Sequence, residues 1–279
     1  MKTVCIKTNN SKAINYLLEK LKNIKLDDVY FSCYKFKIYN NIFIHYKGSD
    51  LKSFLSLVSN ILSCLVLENF EDTILKKILY HEYFYFDVIE KNQILDNIQN
   101  NIIDITEDRK SLVFHSFYNF LENNDKLYLK GFITFRLKNY INELEKIIDN
   151  AVNEYLIEKE YTEFVSLLKV YVNSEPNKCD FVHLIYQNEK PILLDSNKNV
   201  IKTELNLMNA KYLSDISFSS SDIVLNTLLS ILPKKIYVHL IDNADEFITT
   251  LQLIFENKIF ICKECNICNI YRNNLKHRL

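Results

Sequence analysis

The sequence predicts an α+β protein that is mostly helical, with a helical middle segment between two smaller segments that contain strands. Apolar residues recur every three or four positions through most of residues 50–172, as they do in amphipathic helices. Shorter runs with the two-residue alternation of strands lie on either side of this stretch. The chain has two glycines and three prolines in 279 residues, so few residues would interrupt its helices.

The first segment, residues 1–49, is predicted to be a small basic β-α-β-β unit. Its elements are, in order, a strand at 2–8, a helix at 11–24 and two strands at 29–39 and 42–47, which would turn at Asn40 and Asn41. Residues 1–47 hold nine lysines and three acidic residues, a net charge of +6. Residues 257–279 carry a net charge of +4, so the two ends of the chain could attract an anionic partner.

One face of the second predicted strand is aromatic. Two-residue alternation places on it Tyr30, Ser32, Tyr34, Phe36 and Ile38. An aromatic sheet face either stacks RNA bases or packs against a helix. The sequence lacks the RNP-type signature, in which a glycine stands between basic and aromatic residues, and this favours packing against a helix.

The middle segment, residues 50–175, is predicted to be helical. Its helices are expected near 50–69, 70–82, 87–100, 108–122 and 126–172. The last run would be about 70 Å long at 1.5 Å per residue, whereas a compact chain of this length has a radius of gyration of about 19 Å. We therefore expect a break around Ile157 to Thr162. The buried stripe of this run is predicted to contain Ile133, Leu137, Tyr140, Leu144, Ile147, Ala151 and Tyr155. Phe132, Phe135 and Tyr140 are the expected core anchors beside Gly131.

The last segment, residues 176–279, is predicted to be an α/β region. Strands at 180–186 and 192–194 would be joined by a turn near Asn188 and Glu189, and Ser221 with Asp222 would cap a helix that ends near Leu232. A strand at 235–241, a helix at 244–256 and a strand at 258–262 form a β-α-β unit. Its strands should be parallel, with a right-handed crossover.

The sequence predicts a cytoplasmic protein. Lysine and asparagine interrupt the N-terminus before an apolar run of secretory-signal length can form. The longest uncharged stretch, Ser53 to Leu67, has 15 residues and contains several polar side chains. That is shorter than the roughly 20 residues that span a bilayer, so a buried helix without a transmembrane segment is expected.

Motifs of the well-known enzyme classes are absent from the sequence. With glycine only at positions 48 and 131, neither a Walker loop nor a dinucleotide-binding fingerprint can be written. His81 and Glu82 lack the second histidine of the zinc-protease motif, and no nucleophile elbow surrounds a serine. No catalytic residue is identified, which favours a protein without enzymatic activity.

Three cysteines near the end of the chain form the sharpest local motif. Cys262, Cys265 and Cys268 follow a predicted strand at three-residue spacing, and short Cys-x-x-Cys segments let two thiolates face one metal ion. His277 is the expected fourth ligand of one zinc ion, with His239 as the alternative. Free reduced thiols, redox exchange and an incomplete iron–sulfur run are the other interpretations.

The remaining cysteines and two strand histidines have simpler interpretations. Seven cysteines are an odd number, which favours free thiols or metal ligands over a disulfide framework. The four outside the terminal motif are expected in the core: Cys5, Cys33, Cys64 and Cys179. His183 and His239 each lie in an apolar strand, where a core or interface role is favoured.

The segment from Gly131 to Tyr140, GFITFRLKNY, resembles the core motif of the YtxC family of sporulation proteins. Further similar segments follow in the same order at 151–164, 167–169 and 182–185. The resemblance implies a spore-forming, Gram-positive source and a role in sporulation. It implies no reaction and supplies no catalytic residue.

Three functional hypotheses follow from the sequence. The first is a cytoplasmic sporulation factor that acts by binding a protein partner. The second is a protein that binds nucleic acid or another anionic surface through the lysine-rich N-terminal unit. The third is a thiol-dependent or metal-dependent enzyme that uses Cys262, Cys265 and Cys268.

Overall fold

A computed structural model of the chain describes residues 1–24, 28–101, 106–187, 190–201, 219–241, 243–262 and 264–276. The fold is α+β and mostly helical, as predicted. The chain divides into two compact units, Met1–Ile157 and Glu158–Leu279. These bounds differ from the three segments predicted from the sequence, and the division at residues 49 and 175 stays a prediction.

The first unit combines one four-stranded sheet with helices. Its elements are β1 (Lys2–Thr8), α1 (Ser11–Lys22), β2 (Val29–Phe36), β3 (Tyr39–Tyr46), α2 (Leu51–Asn69), α3 (Glu71–Glu82), α4 (Val88–Asn101), α5 (Thr106–Asn123), β4 (Lys126–Tyr128), α6 (Leu129–Arg136) and the first part of α7 (Lys138–Ser174). The strand order is β2-β3-β1-β4, with β1 antiparallel to β3 and parallel to β4.

One hydrophobic core joins this sheet to the helices of the first unit. Val4 and Ile6 of β1 and Ile42 of β3 are fully buried in the same cluster as α2 and α5 residues. The helix α2 is 19 residues long and apolar enough by length and composition to cross a membrane, but Phe54, Leu62 and other residues on it are buried in this core. The predicted β-α-β-β unit therefore packs on the helical segment through one face of its sheet.

The hairpin between β2 and β3 turns earlier than predicted. Phe36 pairs with Tyr39, and the turn is made by Lys37 and Ile38, with Lys37 at a left-handed φ of 55°. Asn40 and Asn41 lie within β3 and pair with β1. The expectation of a turn at these asparagines was wrong because burial of Ile42 and Ile44 against β1 sets the register of the strand.

The predicted helical run at 126–172 differs from the structure near its start and in its middle. Its first residues form the short strand β4, and the helix is interrupted at Leu137, between α6 and α7. The helix α7 then continues for 37 residues without the predicted break at Ile157 to Thr162. The expected break was wrong because the chain is not one compact body, and the boundary between its two compact units falls within this helix, at residues 157 and 158.

Most of the predicted buried stripe is confirmed. Ile133, Leu137, Tyr140, Leu144 and Ala151 are buried, and Ile147 and Tyr155 are partly buried against the same core. Of the three proposed aromatic anchors, Phe132 and Tyr140 are buried, but Phe135 is 71% exposed. The prediction for Phe135 was wrong because α6 is a separate short helix whose buried face contains Leu129, Phe132 and Ile133.

A buried ion pair crosses the core of the first unit. The guanidinium of Arg109 donates to both carboxylate oxygens of Glu71, at 3.0 and 3.2 Å. The hydroxyl of Tyr140 donates to the same carboxylate at 2.7 Å. Burial and the Glu71 carboxylate raise the pKa of Tyr140, so its hydroxyl keeps its proton. Removing one member would leave a buried charge without its partner, which is strongly destabilising.

The second unit contains the other four-stranded sheet. Its elements are the second part of α7, β5 (Cys179–Gln187), β6 (Lys190–Leu194), α8 (Ser220–Ile231), β7 (Pro233–Leu240), α9 (Glu246–Phe255), β8 (Ile259–Cys262) and α10 (Asn266–Lys276). The strand order is β6-β5-β7-β8, and β7 is parallel to both β5 and β8. The predicted parallel pairing is confirmed.

The expected turn at Asn188 and Glu189 lies outside the described residues. The residue that caps α8 is Ser219 instead of the predicted Ser221.

We predict that Phe135→Ala changes the free energy of unfolding by less than about 1 kcal/mol, because an exposed side chain loses little packing when it is truncated. The matched control is Phe132→Ala, three residues earlier, which removes a ring that stacks on Phe117 with centroids 4.3 Å apart. Its expected cost is about 3–5 kcal/mol. Chemical denaturation of both variants gives the comparison, and equal losses would contradict the exposed position of Phe135.

Candidate metal centre

The metal-ligating side chains come from β7, β8 and the start of α10. His239 and Cys262 are directly paired across the parallel strands β7 and β8, so their side chains leave the same face of the sheet. The chain then turns, and α10 begins with a hydrogen bond from the Asn269 N–H to the Cys265 carbonyl, 2.9 Å. Cys265 and Cys268 lie three residues apart at this helix start, and their side chains lie close to those of His239 and Cys262.

The four ligand atoms lie within 4.8 Å of one another. The His239 Nδ1 atom is 3.4 Å from both the Cys265 and the Cys268 sulfur. The Cys268 sulfur is 3.7 Å from that of Cys265 and 4.0 Å from that of Cys262. With Zn–S bonds of about 2.3 Å, the sulfurs of a tetrahedral site are about 3.8 Å apart. These separations fit one tetrahedral ion.

Burial and hydrogen bonding set the protonation of these groups. Burial, with a smaller effect of His183, lowers the pKa of His239 to about 4, so its imidazole is neutral at pH 7 and can act as a ligand. Burial, together with the hydrogen bond to Cys265, raises the pKa of Cys268 to about 11. Burial also disfavours the Cys265 thiolate, but hydrogen bonds from Cys268, Cys262 and Ile267 outweigh it and lower that pKa.

His183 contacts the far side of the His239 ring. Its Nδ1 atom lies 2.9 Å from His239 Nε2, across the parallel pair β5 and β7. If His239 binds an ion through Nδ1, its Nε2 carries the proton and donates it to His183. Histidine ligands of metal sites commonly donate their second N–H to such an acceptor, which fixes the tautomer and the ring orientation.

The structure brings together most of the predicted ligand set. Cys262, Cys265 and Cys268 converge, and the strand histidine that joins them is His239, the alternative fourth ligand. His277, the preferred fourth ligand in the sequence analysis, lies outside the described residues. Of the other cysteines, Cys5 is buried, Cys64 and Cys179 are partly buried, and Cys33 is exposed, which corrects its expected core position.

The role of His183 was missed by sequence reasoning. The two histidines lie 56 residues apart and reach each other because β5 and β7 are parallel neighbours, with His183 paired to Tyr237. Their equivalent places in two apolar strands were visible in the sequence, but the strand order of the sheet was not. Without that order the sequence could not place the two rings together.

A profile of the YtxC-like family matches residues 56–260 of the chain, most of its length. The chain belongs to the YtxC-like family. It is 23% identical over 203 residues to the uncharacterized protein YtxC of Bacillus subtilis (strain 168), a match that covers 69% of this chain and 72% of that protein. No solved structure matches the chain.

The family match covers one part of the candidate metal centre. His239 and His183 lie inside residues 56–260, whereas the three cysteines lie just beyond the last matched residue. The strands β1, β2 and β3 precede the first matched residue. The three cysteines are therefore candidate ligands because of the geometry of this chain and not because of the family match.

We predict that His183→Ala lowers the affinity of the protein for Zn²⁺ by roughly 10- to 100-fold, the usual effect of losing a partner that orients a metal-bound histidine. His183→Gln should retain part of the affinity, because its side-chain oxygen can still accept from His239. Competition with a chromophoric chelator measures both. The control is His115→Ala, which removes an exposed histidine of the first unit. Unchanged affinity in His183→Ala would contradict the orienting role.

Proposed function

We propose that this YtxC-like protein is a zinc-binding protein in which the ion has a structural role. The observation that carries the proposal is the convergence of His239, Cys262, Cys265 and Cys268, whose ligand atoms lie within 4.8 Å of one another. Three thiolates and one imidazole are a usual ligand set of structural zinc sites. The separations of these atoms match the edges of a tetrahedron around one ion.

A structural site is favoured over a catalytic one by the number of ligands. Catalytic zinc keeps a coordination position open for water or substrate, whereas structural zinc is closed by four protein ligands. Here four side chains supply four ligands, and Cys268 is fully buried. The arrangement therefore favours a non-enzymatic role over the hypothesis of a thiol-dependent or metal-dependent enzyme.

The ion would fasten α10 to the sheet of the second unit. Ile267 of α10 packs against Ile185 of β5 and Leu194 of β6 in a small hydrophobic cluster. Only a few buried side chains belong to this cluster among the described residues, so it contributes little burial. Metal bonds from Cys265 and Cys268 to a site shared with β7 and β8 would add most of the stabilisation of α10.

We further propose that the protein acts in the cytoplasm of sporulating cells by binding a protein partner. Membership in the YtxC-like family and the sporulation role that the sequence resemblance implies support the setting. The helix α7 supports the binding role, because Phe164, Leu167 and Val170 recur at three-residue spacing and are 54–69% exposed. Exposed apolar side chains that are grouped in this way often mark protein-binding surfaces.

We predict that the reduced protein, purified without oxygen, binds one Zn²⁺ per chain and gains thermal stability in proportion to the metal occupancy. Cys265→Ser should lower the affinity sharply, whereas Cys33→Ser, which changes an exposed cysteine of the first unit, should leave it unchanged. Metal content after desalting and thermal unfolding of the two variants measure the effect. Loss of all metal from the parent protein on desalting would contradict the proposal.

Zinc binding should also depend on pH. Thiols must lose their protons to bind zinc, and the raised pKa of Cys268 keeps that thiol protonated at pH 7 in the metal-free protein. His239 is already neutral and releases none. Titration calorimetry in two buffers of different ionisation enthalpy should therefore report proton release on zinc binding, including the proton held by Cys268. Affinity that does not weaken as pH falls would exclude thiolate ligands.

We predict that deletion of the gene leaves vegetative growth near normal and reduces the number of heat-resistant spores. Complementation of the deletion strain with variants tests whether the α7 surface is needed for this role. The Leu167→Glu variant should fail to restore spores if the α7 surface binds a partner, and Cys33→Ser should restore them. Equal spore counts in the deletion strain and its parent would remove the sporulation role without affecting the zinc site.

A further inference from the structure

The sheet of the first unit has one face that none of the described helices of that unit covers. The opposite face is formed by core residues such as Val4, Ile6 and Ile44. Residues that alternate with these along the strands point away from that core. On β2 they include Tyr30, Tyr34 and Phe36, which are 51–66% exposed.

Strand pairing sets the composition of this face. Residues paired across neighbouring strands share a face, and the pairs place Tyr30 beside His45 and Thr3, Ser32 beside Phe43, and Tyr34 beside Asn41. Lys7 pairs with Tyr128, and Cys5 pairs with Lys126. We call this surface the aromatic face and define it by Tyr30, Tyr34, Phe36, Tyr39, Phe43, His45 and Tyr128 with Lys7, Lys47 and Lys126.

The rings of the aromatic face are arranged side by side across the strands. The Phe43 and His45 rings are nearly parallel, with an interplanar angle of 5° and centroids 6.2 Å apart. The centroid of the Phe43 ring lies 6.3 Å from that of Tyr34. Tyr39 contacts Tyr128 edge to face at 5.4 Å. The rings therefore come from β2, β3 and β4, and β1 contributes Thr3, Cys5 and Lys7 between them.

The charges on this face have one sign. The Lys47 ammonium lies over the Tyr30 ring, 5.0 Å from its centroid, and Lys7 and Lys126 are exposed. The outward positions of the four strands carry no aspartate or glutamate among the described residues. Acidic groups lie at the edge, where Asp125 is already paired with Lys2 at 2.6 Å. Stacking rings are thus combined with a positive potential.

We propose that the aromatic face binds single-stranded nucleic acid. Proteins that bind single strands stack successive bases on aromatic side chains and hold the phosphates with lysine or arginine. Four-stranded sheets with aromatic residues on adjacent strands stack two or three bases in this way. Phe43, His45 and Tyr34 are the stacking positions, and Lys7, Lys47 and Lys126 are the phosphate contacts.

The chemistry of this face favours a single strand over the other anionic partners. A duplex buries the faces of its bases, so the aromatic rings could not stack on them. A polyanion such as heparin could use the lysines but not the rings. A protein surface would have to be acidic as well as aromatic or apolar to match the same face.

The test uses the full-length protein and fluorescently labelled 12-nucleotide strands of mixed sequence, as RNA and as DNA. Anisotropy is measured at low and moderate salt, with the matching DNA duplex and heparin as competitors. We expect the single strands to bind, with an affinity that falls as salt rises. Tyr34→Ala and Phe43→Ala should each weaken binding by roughly 10- to 100-fold, the loss of one stacked base.

The controls separate stacking from general attraction. Phe84→Ala removes an exposed ring of the same unit outside the sheet and should have no effect. Lys7→Glu should weaken binding and reduce its salt dependence, whereas Lys77→Glu, the same charge change on α3, should do so much less. Ultraviolet cross-linking should place nucleotide adducts on peptides that contain Tyr34 or Phe43.

Two results would overturn the proposal. Heparin and duplex that bind as tightly as the single strands, with no loss in the Tyr34→Ala variant, would show attraction to polyanions alone. Failure of both single strands to bind at low salt would reject the nucleic acid and leave the face to a protein partner. The relative affinities for the RNA and the DNA strand show which of the two nucleic acids the face prefers, because RNA offers its 2′-hydroxyls and DNA does not.

Discussion

The candidate metal centre depends on one constraint, the register between the parallel strands β7 and β8. This register pairs His239 with Cys262 and aims both side chains at the same face of the sheet. A slip of one residue would turn every side chain of β8 to the opposite face and separate these two ligands. Ile236 and Val238, which alternate with His239 along β7, are fully buried in the core on the other face. The packing of that core therefore positions the ligands.

The sequence predicted the parts of the fold that depend on local pattern. Helices with a clear three- to four-residue period, and the alternating strands of both ends, were identified because burial of one face leaves that period in the sequence. The short strand β4 was missed, since three residues are too few to show an alternation. The exposure of Phe135 was missed because the interruption of the helix at Leu137 has no glycine or proline to mark it.

The candidate site was predictable only in part, for a different reason. Three of its ligands are neighbours in sequence, and their spacing alone indicates a metal knuckle. His239 and His183 are brought to it by the order of the strands in the sheet, which is a long-range property. The same limit applies to the aromatic face. The alternation along β2 was visible, but the packing of the helices against the opposite face could not be deduced from it.

The continuous helix α7 has a consequence for the thermodynamics of the chain. Its residues from Ile157 to Phe164 are all exposed, so this stretch of helix is held by its own backbone hydrogen bonds and side-chain propensities more than by either hydrophobic core. Each compact unit has a core of its own on one side of this stretch. We therefore expect that one unit can melt, with its part of α7, while the other persists. A single melting temperature would then be an average over two transitions, and a scan followed at one wavelength would report whichever unit contributes more signal.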